Sequence, residues 1–418
     1  MNKLSIYNLF TFSLLLLIVL LVGQGCSAPK RLEAVPPNLQ DKANIPGMPD
    51  VRYWADEDAS DFLRDGVEAF YREQAFLAKS GHKGALPVAE FLAISGGGDD
   101  GAFGAGLLIG WTAAGNRPEF KAVTGISTGA LIAPFAFLGP AYDPQLKEVY
   151  TNVSPKDILK RRSILSAIFK DSMADNAPLF QLMKKHINQE MLAAIAAEHE
   201  KGRLLLIATT DLDAQRAVIW NMGKIAASGH PNALELFQRI LLASAAIPAV
   251  FPPTLIEVEA NGKTFQEMHV DGGAMAQVFM YPPSLGVKMR ALQKTKGLSR
   301  ERRLYIIRNA RLDPNWAQTE RRTMSIAGRA ISSLIQTQGI GDLYMIYLTA
   351  ERDGVDYNLA YIPETFKALH KEDFDTEYMR QLFDVGYKLA VNGYPWAKTP
   401  PGFVETEKEQ IIKIDNPN

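Results

Sequence analysis

The chain has 418 residues, 47% of them hydrophobic and 22% charged, a composition that suits a globular protein with a sizeable core. A formal net charge of -1 gives no electrostatic case for nucleic-acid binding, and a single cysteine excludes an internal disulfide, so stability must come from packing. The sequence shows no internal repeat and no low-complexity tract.

The first 25 residues read as an export signal: a Lys near the start, an apolar run from Leu9 to Val22, then small and polar residues up to Cys26. That run is short for a transmembrane span, which needs about 20 residues. The lone Cys26 lies where a signal peptidase would cut, and the segment resembles a bacterial lipoprotein signal. This resemblance implies lipidation at Cys26 and a cell-envelope location, with Ser27 pointing to the outer membrane. Residues 26–50 carry Pro29, Pro36, Pro37, Pro46 and Pro49 without apolar periodicity, which predicts an extended tether ahead of a folded body at 51–418. From Asp56 to Ala78 the spacing of Phe62, Val67, Phe70 and Tyr71 predicts an amphipathic helix over the sheet.

Phe91 to Ile94 reads as a short buried strand ended by Gly96, Gly97 and Gly98, and helical spacing begins at Ala102. A second apolar pair, Ala122-Val123, leads into Gly125-Ile126-Ser127-Thr128-Gly129 and a further helix, the strand–turn–helix context of a G-x-S-x-G elbow. Flanking glycines let the strand turn at once and leave the Ser127 hydroxyl exposed. Backbone N–H groups of the first loop and of Thr128 can receive the oxyanion that a serine nucleophile generates. Gly96, Gly98 and Gly101 also match a dinucleotide fingerprint, but Asp99 and Asp100 would repel a pyrophosphate and no Lys follows Gly101.

Ser154 to His199 reads as mostly helical. Its early part mixes Ile158, Leu159, Ile164, Leu165, Ile168 and Phe169 with Lys156, Lys160, Arg161, Arg162 and Lys170, which fits either a packed helix with a basic face or a lid. Strands are expected at Leu204 to Ala208, Ala217 to Trp220, Leu255 to Val258 and Phe265 to Val270, and a helix at Asn232 to Ala246. Asp271-Gly272-Gly273 then places a carboxylate at a strand end, where α/β folds put their chemistry. A basic linker, Lys288 to Arg303, precedes a strand at Leu304 to Ile307. Beyond it come helical stretches at Ile326 to Ile335 and Tyr378 to Leu389 and a strand at Val355 to Ile362, with no catalytic motif among them.

Taken together, the G-G-G-x-x-G loop at 96–101, the G-x-S-x-G serine, Ala243-Ser244-Ala245-Ala246-Ile247-Pro248-Ala249-Val250-Phe251-Pro252-Pro253 and Asp271-Gly272-Gly273 resemble the patatin-like phospholipases. The motif core spans 91–285. The resemblance implies an α/β fold of three layers (α/β/α) with a largely parallel central sheet. It also implies a Ser127–Asp271 dyad, an oxyanion hole from Gly96, Gly97, Gly98 and Thr128, and hydrolysis of fatty-acyl esters such as phospholipids or lysophospholipids without metal or cofactor. Gly101, Gly125, Gly129, Gly272 and Gly273 are motif glycines. The family usually carries Arg or Lys where this chain has Asp100, and both acids of the loop are read here as helix caps. Two other classes fit the same nucleophile or fold: an idle binding or scaffold module, and a thioesterase or protease. Of the six histidines, His269 is expected to pack near Asp271 and His370 to lie on the surface. The partners expected are a lipid substrate and the membrane, not nucleic acid; the sequence leaves the oligomeric state open.

Overall fold

The computed structural model describes residues 30–56, 59–162, 171–282, 285–286 and 300–403. Its strands are β1 (Arg52–Trp54), β2 (Ala89–Ile94), β3 (Ala122–Gly125), a short side pair β4 (Lys160–Arg161) and β5 (Ala174–Asp175), then β6 (Leu204–Asp211), β7 (Arg216–Asn221), β8 (Thr254–Ala260), β9 (Lys263–Asp271), β10 (Arg302–Arg308) and β11 (Asp356–Tyr361). The main sheet runs β1-β7-β6-β3-β2-β10-β11, and β9 joins it through β6 with β8 beyond. Its centre, β6-β3-β2-β10-β11, is parallel, while β7, β1, β9 and β8 are antiparallel to their neighbours.

The strands alternate between two buried faces, as the period-2 geometry of a strand requires. Leu92, Ile94, Val123, Leu205, Ile207 and Ile307 point into the larger core. It is covered by α2 (Gly101–Ala113), α3 (Thr128–Leu138), α7 (Ala233–Ser244) and α9 (Thr376–Val391), with α4 (Asp143–Thr151), α5 (Ala177–His186) and α6 (Gln189–Glu200) packed around them. On the other face Ala93, Leu304, Ile306, Tyr357 and Leu359 meet Leu343, Ile346 and Tyr347 of α8 (Thr323–Asp353). Leu206 and Ile219 meet Phe62 of α1 (Ser60–Lys79). Helices thus flank a largely parallel sheet, the fold the motifs imply.

Three expectations change. Residues 31–50 do not form an extended tether. Val35, Ala43, Ile45 and Met48 are buried, Asn44 bridges to Glu259 of β8, and Arg31 pairs with Asp213 at 2.7 Å. Apolar residues spaced without a period can still fill a groove along a hairpin. Helix α1 turns a different face inward: Tyr71 is exposed, while Asp65 and Glu73 are buried with Phe62 and Ala69. Lys224 and Asn221 answer Asp65, and Lys121 and Arg300 answer Glu73. A hydropathy pattern has no signal for buried carboxylates matched by distant cations. Helix α8 extends well past the expected Ile326 to Ile335, through Gly339 and Gly341 to Asp353, and Gly339 lies against the buried Arg308: a Cβ there would lie 2.5 Å from the guanidinium Nη2.

Candidate active site

Ser127 follows β3 directly and precedes α3, with φ 55° and ψ -125°, the strained turn that a strand-to-helix elbow imposes. The flanking glycines are steric necessities. A Cβ on Gly125 would stand 2.4 Å from the Gly129 carbonyl oxygen, and one on Gly129 would stand 2.2 Å from that of Ile94. The Ser127 N–H donates to Ser244 Oγ at 3.0 Å, and Ser244 Oγ donates to the Ala208 carbonyl at 2.7 Å. The end of α7 therefore pins the elbow.

Because β3 stops at Gly125 to form the elbow, the same edge of β6 is left open at Thr209 to Asp211. Strand β9 fills it, running back toward the elbow so that Asp271 stands opposite Thr209. The Asp271 N–H donates to the Ala246 carbonyl at 3.0 Å, and Gly273 N–H donates to Asp271 Oδ1 at 2.7 Å. Burial pushes the Asp271 carboxyl up to about 7, against the opposing pull of the Ser127 side chain facing it and the Gly273 N–H. Gly272 opens the turn after the strand, close against Ala208 and Ile126.

The glycine loop lies beside the elbow. The Gly96 N–H donates to the Gln277 carbonyl at 3.0 Å, which removes Gly96 from the expected oxyanion donors; its place against the Ser127 Cβ makes it a spacer. The N–H groups of Gly97, Gly98 and Thr128 have no acceptor among the described residues. Gly101 begins α2 against the Thr128 side chain, whose Oγ1 is 2.5 Å from the Tyr150 hydroxyl. The loop is fixed from the C-terminal third by Asn309. Asn309 Nδ2 donates to the Ser95 carbonyl at 3.0 Å, its N–H donates to Ser95 Oγ at 2.8 Å, and its Oδ1 accepts from Gly104 N–H at 3.0 Å. Gly97 sits so close that a Cβ would come within 2.0 Å of the Asn309 carbonyl oxygen.

Asp99 and Asp100 make no side-chain cap on α2, contrary to expectation. Asp99 Oδ2 lies 2.7 Å from His370 Nε2 and accepts the Phe374 N–H at 2.8 Å, and Asp100 Oδ1 accepts from the Tyr378 hydroxyl at 2.6 Å. They clamp the segment before α9 and the first turn of α9 onto the loop. Burial raises the Asp100 carboxyl to about 7, opposed by the Tyr378 bond and helped by neighbouring Asp99. His370 is therefore a surface residue paired with Asp99.

Gly98, Ser127 and Thr128 open onto a cavity whose walls include Leu131, Phe135, Val149, Leu179, Leu241 and Phe251. A mainly apolar cavity with few polar groups at one end suits a flexible hydrocarbon chain joined to a polar reacting centre. Ile164, Leu165, Ile168 and Phe169, from the stretch read as either a packed helix or a lid, lie outside the described residues. Asp211, Glu267 and His269 form a buried cluster with metal-compatible spacing, but Arg52 binds both oxygens of Glu267, at 2.9 Å for Oε1. His269 is held by Thr209 at 3.0 Å and Glu267 at 3.1 Å. Burial works against the Glu267 charge, yet Arg52 and His269 bring its pKa down to about 2, so the cluster is an ion-pair network with its own cation.

The sequence reading missed Asn309, Gln277 and Tyr378, none of which lies in a motif. The Ser244 segment was found, and its structural part is to hold Ser127 and Asp271 through adjacent turns.

The site thus places a serine on a strand-to-helix elbow facing a buried carboxylate, beside a glycine loop. Residues 92–281 match the family model described as "Patatin-like phospholipase". Comparison with curated proteins gave no match. Among solved structures the chain is similar to VipD from Legionella pneumophila at 12% identity, with a TM-score of 0.35, over 74% of this chain and 67% of that one.

Proposed function

We propose that the protein is a serine lipid acyl hydrolase that cleaves fatty-acyl esters through Ser127 and Asp271. The observation that carries the reading is a buried carboxyl facing an elbow serine at one end of an apolar cavity. A carboxylate in water is too weak a base for a serine hydroxyl, and desolvation brings it toward the working pH. Ser127 Oγ attacks the ester carbonyl while its proton passes to Asp271. The N–H groups of Gly97, Gly98 and Thr128 bind the oxyanion. Collapse returns the proton to the leaving alcohol and leaves an acyl-enzyme, which water hydrolyses with Asp271 again as base. His269, tied to Thr209 and Glu267, has no part in this path.

An alkyl fluorophosphonate is expected to label the protein once, at Ser127, and Ser127→Ala is expected to abolish labelling and ester hydrolysis together. Undiminished ester cleavage in Ser127→Ala would remove the assignment, and a wild-type protein that fails to label would favour an idle scaffold. A screen of phospholipids, lysophospholipids, thioesters and peptides separates the remaining classes.

The proposal extends to location: a lipid on Cys26 anchors the protein to the outer membrane, an idea that rests on the sequence before residue 30. Mass spectrometry of the mature N-terminus checks it, and an unmodified N-terminus at another residue excludes it.

A further inference from the structure

Helix α8 is made of two unlike halves. From Gly339 onward it is buried through Leu343, Ile346, Tyr347 and Ala350, and it leads directly into the start of β11. It therefore runs against the parallel strands and reaches their C-terminal edge near Gln338, which donates to the Met275 carbonyl at 2.7 Å and accepts from Gln277 at 3.0 Å. That edge carries Ser127 and Asp271. Residues 323–337 continue past it for about 22 Å at 1.5 Å per residue.

This projecting half exposes large apolar side chains. Met324 and Leu334 are each 70% exposed, Ile331 is 56% exposed, and Trp316 in the preceding loop is 85% exposed. At 100° per residue, Met324, Ile331, Leu334 and Ile335 fall on one face, and Arg329 lies on the other with the exposed Ile326 beside it. No Asp or Glu occurs between Thr323 and Gly341, while Arg321, Arg322 and Arg329 bring cations to the helix start and its polar face. Glu320 offsets one of them by pairing with Arg322. An apolar face with Trp at its margin, three arginines against the single Glu320, and no carboxylate within the projecting half itself is complementary to an anionic bilayer, where the apolar side chains enter the acyl boundary and the cations meet phosphates. Arg31 adds continuity. It is fixed to Asp213 in the turn after β6, at the same edge, so the chain preceding it joins the body on this side.

We propose that the first half of α8, with Trp316, is a docking surface for anionic lipid bilayers that sets the mouth of the Ser127 site against the membrane. Its consequence for turnover rests on the lipid-hydrolase reading; the docking itself does not.

The test uses the full chain with Cys26→Ser and Ser127→Ala, carrying an environment-sensitive nitrobenzoxadiazole label on a cysteine placed by Leu334→Cys or, as control, Lys83→Cys. Lys83 is exposed just before β2, at the opposite edge of the sheet. With phosphatidylcholine–phosphatidylglycerol vesicles the label at 334 should brighten at least about two-fold, shift to the blue and be quenched by spin-labelled acyl chains. The label at 83 should not respond, and pure phosphatidylcholine should give a weaker signal at 334. In the chain with Ser127 intact, Ile331→Glu with Leu334→Glu should lower hydrolysis of bilayer lipid at least about ten-fold and leave hydrolysis of a soluble short-chain ester unchanged. An unresponsive label at 334 overturns the proposal, as does one that responds to protein concentration without lipid, which would mean a second copy covers the face. An equal response at 83 and 334 also overturns it. If neither ester is cleaved by the parent, the hydrolase reading fails while the label still decides docking.

Discussion

The elbow and the glycine loop meet at one site but are stabilised in different ways. Ser127 is held chiefly by its chain neighbours, strand β3, helix α3 and two glycines, and by Ser244 at the end of α7, all within the motif-bearing part of the chain. The glycine loop depends on residues some two hundred positions away or more, with Asn309 on one side and His370, Phe374 and Tyr378 on the other. A nucleophile can be made by a local turn. An oxyanion hole must hold N–H groups at fixed positions in a flexible glycine-rich segment, and rigidity there has to be supplied from outside.

This contrast orders the expected effects. Asp271→Asn should lower turnover by about a thousand-fold or more, in the range seen when the base is lost from a serine site. The same variant should raise the melting temperature at pH 8 and have a smaller effect at pH 5. The sign follows from linkage: the folded carboxyl holds its proton to about pH 7 and the unfolded one only to the ordinary Asp range, so wild-type stability falls as pH rises through that window. A melting temperature lowered equally at both pH values would mean that Asp271 is structural. Asn309→Ala should come next, lowering kcat by about 10- to 100-fold with KM for a soluble ester nearly unchanged, as expected when catalytic groups are misplaced by about 1 Å. A KM effect with kcat preserved would show that the loop needs no remote anchor. Tyr378→Phe and Asp99→Asn, which loosen the clamp, should cost only a few-fold. His269→Ala and His370→Ala should keep most of the activity if they remain folded. A histidine variant as inactive as Ser127→Ala at an unchanged melting temperature would replace the dyad with a triad.

The same contrast explains what could be read in advance. The elbow, the strands that build the parallel centre and the order of the motifs were legible because a tight turn and a buried strand each restrict local residue choice. Asn309 and Tyr378 were not, since an asparagine after a strand and a tyrosine in an amphipathic helix have many ordinary uses, and only the fold brings them to the loop. Asp99 and Asp100 looked like helix caps because their position allows it. Competing partners, His370, Phe374 and Tyr378, lie far along the chain, and no local rule weighs them. The buried acids of α1 and the groove filled by residues 31–50 were missed for the same reason.

The central claim is that Asp271 itself takes the Ser127 proton. The rate of fluorophosphonate labelling at Ser127, followed from pH 5 to 9 in wild type and Asp271→Asn, tests it most directly. Ionised Asp271 is the active form, so the wild-type rate should climb with pH through a midpoint near 7, and the Asn variant should be slow at every pH with no such midpoint. A flat wild-type profile, or an Asn variant that retains the wild-type midpoint, would contradict the account.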